Sequence, residues 1–365
     1  MGRSASGYRS SLDNRLGGVS VGEVKELHYH DVLLLPRMAA VNSRDDTDIS
    51  VKLGKERFIL PVVPANMKTV ISEELAIWLS EHGYFYIHHR FGIDPVAFTK
   101  LMKSCNQIAS ISLGVNEESM KMVHKLAEND KPDYITVDIA HGHCNKMAAM
   151  IKHIKKYLPD SFLIAGNVCT YEGARFLQEL EVDAIKVGIG PGKVCTTKLM
   201  TGFSRPQFSA VLECVKVNYH LCNRCHTRYP VDTFLKNCGC GAVVEPRKIV
   251  AIIADGGIEH NGDVAKALVA GATMVMAGSL LAGFDESPGK KIVHDDGRLT
   301  KEYFGSASEA NKGAKEFIEG RRIEIPYRGS IHDKLQEIKQ SLRSSVSYAG
   351  GHDLSCFKEV QWIIQ

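Results

Sequence analysis

Asp183-Ala184-Ile185-Lys186-Val187-Gly188-Ile189-Gly190-Pro191-Gly192-Lys193-Val194-Cys195-Thr196-Thr197-Lys198 is a β-type run that breaks into a glycine-rich loop bearing one cysteine. Three glycines in five residues let a backbone approach a ligand or ion closely and expose its amides and carbonyls. A cysteine in such a loop, flanked by Lys193 and Lys198, is a candidate nucleophile. A strand ending in a chemically loaded loop is the signature of a parallel α/β sheet, whose sites lie at the carboxyl ends of its strands.

Seven further runs keep the same rhythm: Phe58–Val63, Tyr84–Ile87, Ile108–Leu113, Tyr134–Val137, Phe162–Ala165, Ile249–Ala254 and Met274–Ala277. Each is short and apolar, as strands buried on both faces are. Amphipathic patterns sit between them: 73–82 places Leu75, Ile77, Trp78 and Leu79 on one face, and 120–126 and 174–180 behave likewise. The repeat is about 25 residues, the size of a βα unit. Eight such units close most naturally into a (β/α)8 TIM barrel, with a doubly wound sheet as the competing arrangement. A length of 365 residues fits one barrel with additions. The beat fails once. The sixth run ends at Val187 and the seventh starts only at Ile249. The gap holds the cysteine loop, a helix near 206–217 and a segment foreign to the pattern.

Composition excludes several classes. The net charge of +3 provides no global field for nucleic acid. No stretch of 18 apolar residues exists to span a membrane, and the N-terminus lacks an apolar signal core, so a cytoplasmic protein is expected. Residues 1–27 read as a mobile tail. Ten cysteines without an export signal argue against a disulfide framework.

The last two strand ends have the makings of a phosphate site. Asp255-Gly256-Gly257 leads to a helix starting near 261, and Gly278-Ser279 opens the next turn. Backbone amides after the seventh and eighth strands of barrels commonly cradle phosphate, and Asp255 is placed to accept from ribose hydroxyls. Other nucleotide motifs fail: Gly188–Gly192 is not GxGxxG, and Gly192-Lys193 is followed by valine, so it is no P-loop.

VGIGPGKVCTT (187–197), ADGG (254–257), VMAGSLLAG (275–283), LPVVPANM (60–67) and SYAGG (347–351) together resemble the IMP dehydrogenase/GMP reductase family. The resemblance covers roughly 28–213 and 247–365. Dehydrogenases of the family usually carry a regulatory pair of domains after the second strand, whereas here Arg90 runs straight into the third unit. A glutamate in Phe317-Ile318-Glu319-Gly320-Arg321 matches the reductase branch. The resemblance therefore implies a catalytic barrel over 28–365 with a flap at 302–321, catalysing NADPH-dependent reductive deamination of GMP to IMP and ammonia. It implies Cys195 as nucleophile and Thr197 with Glu319 as proton relay. Substrate contacts would come from Asp255, Gly256, Gly257, Gly278, Ser279, Gly305, Ser306 and Ala307. Cofactor contacts would come from Ser43, Arg44, Arg90, Asp138, Ile139, Ala140, Ile189 and Gly190. Ser344, Ser345, Val346 and Ser347 match cofactor positions that relatives present across a subunit boundary, in keeping with a homotetramer. Gly190, Gly192, Cys195 and Lys198 occupy the family's potassium loop, contributing carbonyl oxygens. Two other functions stay open: IMP dehydrogenase, in which water resolves the same intermediate, and a non-catalytic purine-nucleotide sensor.

The foreign segment, 218–246, carries Cys222, Cys225, Cys238 and Cys240 in close succession. Four thiolates so spaced can close a tetrahedral zinc site, and about 30 residues without a core need such a staple. The CxxC…CxCG pattern is similar to the zinc ribbon of some threonine synthases. It reads as a zinc-ribbon-like insertion between strands six and seven, projecting from the barrel face opposite the substrate or from its side. Its few basic residues, Arg224, Arg228 and Lys236, do not make a nucleic-acid surface.

Overall fold

A computed structural model of the chain describes residues 25–222, 225, 228–229, 239–240, 248–312 and 318–365. Seven parallel strands hydrogen-bond in the order 62–64, 274–277, 251–255, 184–187, 162–168, 134–138 and 110–113. The eighth position, between the two edge strands, is taken by the extended segment 84–88. Tyr84, Phe85, Tyr86, Ile87 and His88 are all buried there. The segment is held to strand 110–113 largely by side chains instead of a ladder. The Tyr86 hydroxyl accepts from the Ser110 amide (3.2 Å) and donates to the Ile108 carbonyl (2.6 Å). The Ser112 hydroxyl donates to the His88 carbonyl (2.7 Å), and the His88 amide donates to the Ser110 carbonyl (3.1 Å). The eight expected runs thus form one TIM barrel, and the doubly wound alternative is set aside.

The first run behaves differently from its expected single strand. Glu56–Phe58 pairs antiparallel with Val51–Leu53, and only Val62–Pro64 enters the barrel. Pro61 lies at the break, where its ring removes a ladder donor. The short hairpin seals the amino-terminal end of the barrel. Phe58, Phe85, Tyr134 and Phe162 pack there with ring centroids 5.0–6.2 Å apart, and the Tyr134 hydroxyl donates to the Leu53 carbonyl (2.8 Å).

Helices cover the outside. Those at Glu73–Glu81, Pro95–Ser104, Glu117–Glu128, Tyr171–Glu179 and Ile331–Tyr348 start where a side-chain oxygen of Ser72, Asp94, Asn116, Thr170 or Ser330 accepts from an amide of the first turn. Their apolar faces meet the outer face of the sheet in one continuous core, and a second core of Val63, Phe85, Ile164, Ile253 and Met276 fills the barrel. Strand Val32–Leu34 pairs antiparallel with Trp362–Ile364, so the two ends of the described chain are tied together.

Of the tail expected over 1–27, residues 1–24 lie outside the described residues. Leu27 is already anchored: it is buried and exchanges hydrogen bonds with Ser209. Three antiparallel strands, Lys291–Val293, Leu299–Phe304 and Arg322–Pro326, stand above the carboxyl ends of the barrel strands. They carry the connecting segment 305–321, of which 313–317 lie outside the described residues. Among the described residues no helix is long and apolar enough to cross a membrane.

Candidate active site

The carboxyl ends of the strands open into a cavity of about 490 Å³. Cys195, Thr197 and Glu319 line it, although 122 residues separate the last two in the chain. The Cys195 thiol donates to the Thr197 hydroxyl (3.2 Å), which donates to the Glu319 carboxylate (2.7 Å). These three side chains form one hydrogen-bonded chain from sulfur to carboxylate.

Backbone contacts dock the Glu319 segment on the cysteine loop. The Thr196 amide donates to the Glu319 carbonyl (2.8 Å), and the Arg321 amide to the Val194 carbonyl (2.9 Å). The Glu319 amide donates to the Ala307 carbonyl (3.1 Å), tying both arms of the segment together. The loop itself leaves its strand at Gly188, whose φ is +151°. A Cβ there would stand 2.1 Å from the Asp255 carbonyl oxygen, so the position admits no side chain.

The floor of the cavity is polar and charged. Lys186, on the strand preceding the loop, is 1% exposed and reaches between two carboxylates, Asp138 (2.6 Å) and Asp255 (3.2 Å). Burial disfavours its charge, but the two carboxylates outweigh that and hold the amine above its ordinary range. Burial likewise disfavours the Asp138 carboxylate; Lys186 foremost, then Arg90 and Asn66, overcome this and keep it below its usual range. An isolated buried charge costs several kcal/mol, so the net shifts mark a site built to stay ionised. Asn167 donates to Asp255 (2.8 Å) and to the Gly188 carbonyl (2.8 Å), joining three strand ends.

Of the residues singled out in the sequence, the cavity gathers most. Asp255, Gly256, Gly257, Gly278 and Ser279 line one side, with Gly305, Ser306 and Ala307 above them. Gly256 and Gly257 both have positive φ, +92° and +76°, which turns their backbone inward. Arg90, Asp138, Ile139, Ala140, Ile189, Gly190 and Gly192 line the rest. Two buried polar atoms in this lining, Arg90 Nε and Asn167 Oδ1, have no hydrogen-bond partner among the described residues, as donors and acceptors suited to a polar ligand do. Lys198 lies outside the lining, on the short helix Thr197–Thr201 that follows Cys195.

Ser43, Arg44 and Ser344–Ser347 are not brought to this cavity. They form a second group away from it, of which Val346 and Ser347 are buried. Arg44 sits 5.7 Å from the Tyr348 ring, and Arg343 pairs with Asp45 (2.7 Å). Val346 is fully buried on the core face of its helix, and the Ser344 and Ser345 hydroxyls donate to carbonyls of the preceding turn. His88 and His89 are buried, and burial pushes both down to about 4, so they are neutral packing groups.

Sequence reading missed Lys186, Asn66, Asn167 and Tyr303 as site residues. Lys186 had a readable signal: it is the single charge within Ala184–Val187, a strand buried at every position. Asn66, within LPVVPANM, and Asn167 stand at polar strand ends, which is a signal too, but their partners Ser112 and Asp255, and the Met67 partner of Tyr303, are 46, 88 and 236 residues away in the chain.

Comparison with known proteins agrees with this architecture. A family model described as IMP dehydrogenase / GMP reductase domain matches residues 26–225 and 236–365, breaking within the foreign segment. The GMP reductase of Latilactobacillus sakei subsp. sakei (strain 23K) is 48% identical over 340 residues, which cover 92% of this chain and 95% of that protein. The GMP reductases of Bacillus subtilis (strain 168) and Mesoplasma florum are equally similar, with 95% and 97% of their lengths covered. With its barrel, its cysteine loop and this match over nearly its whole length, the chain belongs to the IMP dehydrogenase/GMP reductase family.

Proposed function

We propose that the protein is a GMP reductase, converting GMP to IMP and ammonia at the expense of NADPH. The observation that carries the reading is the chain from Cys195 through Thr197 to Glu319 inside the cavity. Loss of the thiol proton along that chain leaves a thiolate at Cys195 and a protonated Glu319. The sulfur attacks carbon 2 of guanine, and a C–S bond forms. The C–N bond to the exocyclic amine then breaks, and Glu319, through Thr197, returns the proton that lets the amine leave as ammonia. A covalent thioimidate remains on Cys195. NADPH, when bound, supplies the hydride that reduces carbon 2, and the sulfur departs as IMP forms.

Asp255 is suited to the ribose hydroxyls, and the amides at Gly256, Gly257, Gly278 and Ser279 to the phosphate. Asp138, Arg90, Ile139 and Ala140 would hold the nicotinamide side; Arg90 Nε, without a partner among the described residues, fits a polar group there. Ser43, Arg44, Ser344 and Ser345, gathered at the surface with Val346 and Ser347 buried behind them, would reach a cofactor bound to a neighbouring subunit of a homotetramer. Gly190, Gly192, Cys195 and Lys198 would hold potassium through main-chain carbonyls, a donor set of hard oxygens that suits a monovalent cation and would fix the loop's shape. The catalytic unit would span 28–365, with 302–321 acting as the flap that brings Glu319 to the sulfur.

The test is a coupled assay with GMP and NADPH. Oxidation of NADPH with one ammonia released per turnover is the expected result. Oxidation of IMP with an oxidised nicotinamide, without ammonia release from GMP, would assign IMP dehydrogenase instead. GMP binding without either reaction would leave a sensor.

A further inference from the structure

We propose that Cys222, Cys225 and Cys240 hold a structural zinc ion on the side of the barrel opposite the cavity. Their sulfurs lie within 4.8 Å of one another. The Cys222 and Cys240 sulfurs are 3.5 Å apart, far beyond the roughly 2.05 Å of a disulfide. Two thiolates bound tetrahedrally to zinc at about 2.3 Å stand about 3.8 Å apart, so sulfurs this close can share a cation. The Cys225 amide donates to the Cys222 sulfur (3.5 Å), which keeps that sulfur turned toward the group. Cys222 is fully buried while Cys225 is exposed, so the site has one face on the protein and one toward solvent. Structural zinc closes at four ligands, and soft thiolates select it over magnesium or calcium. The sequence carries a further cysteine here, Cys238, which lies outside the described residues.

The placement makes the ion structural. None of the three cysteines lines the catalytic cavity. The two stems of the segment meet at the amino-terminal end of strand 251–255, away from the loops that carry Cys195 and Glu319. They are clamped by barrel residues. Asn218 exchanges two hydrogen bonds with the Val250 backbone (2.8 and 2.9 Å). The Gln178 amide donates to the Val217 and Lys248 carbonyls (3.0 and 2.9 Å). This clamp needs no metal, so the barrel holds its shape when the ion is removed and only the segment beyond the clamp depends on it.

The experiment uses the full chain, purified under reducing conditions from zinc-supplemented medium. Elemental analysis should find one zinc per chain. Exchange with Co2+ alone should give thiolate-to-cobalt charge-transfer bands and the intense visible bands of a tetrahedral site. Cys222→Ser, Cys225→Ser and Cys240→Ser should each lose most of the metal, whereas Cys105→Ser, at an exposed helix end, should keep it. Chelation of the wild-type protein should speed proteolytic cleavage within 219–247 about tenfold while the barrel's circular-dichroism melting curve stays in place. Absence of zinc, a cobalt spectrum without charge-transfer bands, full metal content in Cys222→Ser, or a cleavage pattern unchanged by chelation would overturn the proposal. The cobalt spectrum and chelation arms use wild-type protein and so do not depend on the variants folding.

Discussion

The roles proposed for Cys195 and Glu319 are separable jobs of individual side chains, and their variants should separate them. The proposed phosphate and ribose contacts lie on other strand ends, so Cys195→Ala should abolish GMP reduction while leaving GMP affinity within about tenfold. Calorimetric titration beside the coupled assay checks this, and loss of binding equal to loss of turnover would remove the nucleophile role. Glu319→Gln keeps a hydrogen-bond acceptor for Thr197 but cannot take the thiol proton. Ammonia release should slow by about 100-fold or more, the usual size of effect for a lost acid–base group, with melting temperature unchanged. Unaltered release would show that another group moves the proton. Lys186 is a third side chain with a distinct task. Its charge is held by Asp138 and Asp255, carboxylates on two other strands, which no local pattern exposes.

Among the secondary-structure elements, the decisive object is the junction of strand 184–187 with its loop. The loop can present Cys195 because Gly188 lets the backbone pass within contact of Asp255 on the neighbouring strand. Gly188→Ala introduces an overlap with a backbone carbonyl and a positive φ that alanine resists, at a cost of about 1–3 kcal/mol for the backbone alone. The expected outcome is a lower urea midpoint together with reduced turnover, because the loop must shift to relieve the clash. An alanine variant with wild-type midpoint and turnover would show that the strand ends can separate freely. The extended segment 84–88 illustrates the same point about elements. Its apolar run is readable, but its pairing through the Tyr86 and Ser112 hydroxyls is decided by which side chains it meets.

For the barrel taken as one folding unit, buried histidines set a pH limit. Burial pushes His88 and His89 down from 6.5 to about 4, so between these values the unfolded chain binds protons that the native barrel refuses. Their contribution to stability is fully present above pH 6.5 and is lost as pH falls toward 4, at up to about 1.4 kcal/mol per pH unit for each group. Urea unfolding should show the midpoint falling across that window, with a shallower fall in His88→Asn. A variant with the wild-type slope would place the acid sensitivity elsewhere. Depression of Asp138 by Lys186 acts in a separate window, below the ordinary aspartate range, because that carboxylate is stabilised in its charged form.

The barrel, the cysteine loop and the family were legible in the amino-acid sequence because each is written in short-range pattern: βα periodicity, glycine where a backbone must turn, and contiguous motifs around 195, 255 and 278. Spacing alone also singled out Cys222, Cys225, Cys238 and Cys240, of which the described residues Cys222, Cys225 and Cys240 lie together. The family resemblance already pairs Thr197 with Glu319 across 122 residues; two features waited for the folded chain: Lys186 bridges two carboxylates, and Ser43 and Arg44 lie with helix 331–348 at the surface instead of at the cavity. Those are long-range contacts. They depend on how far each strand end projects and on which side chains fill the barrel, and both are settled only when the whole sheet has closed.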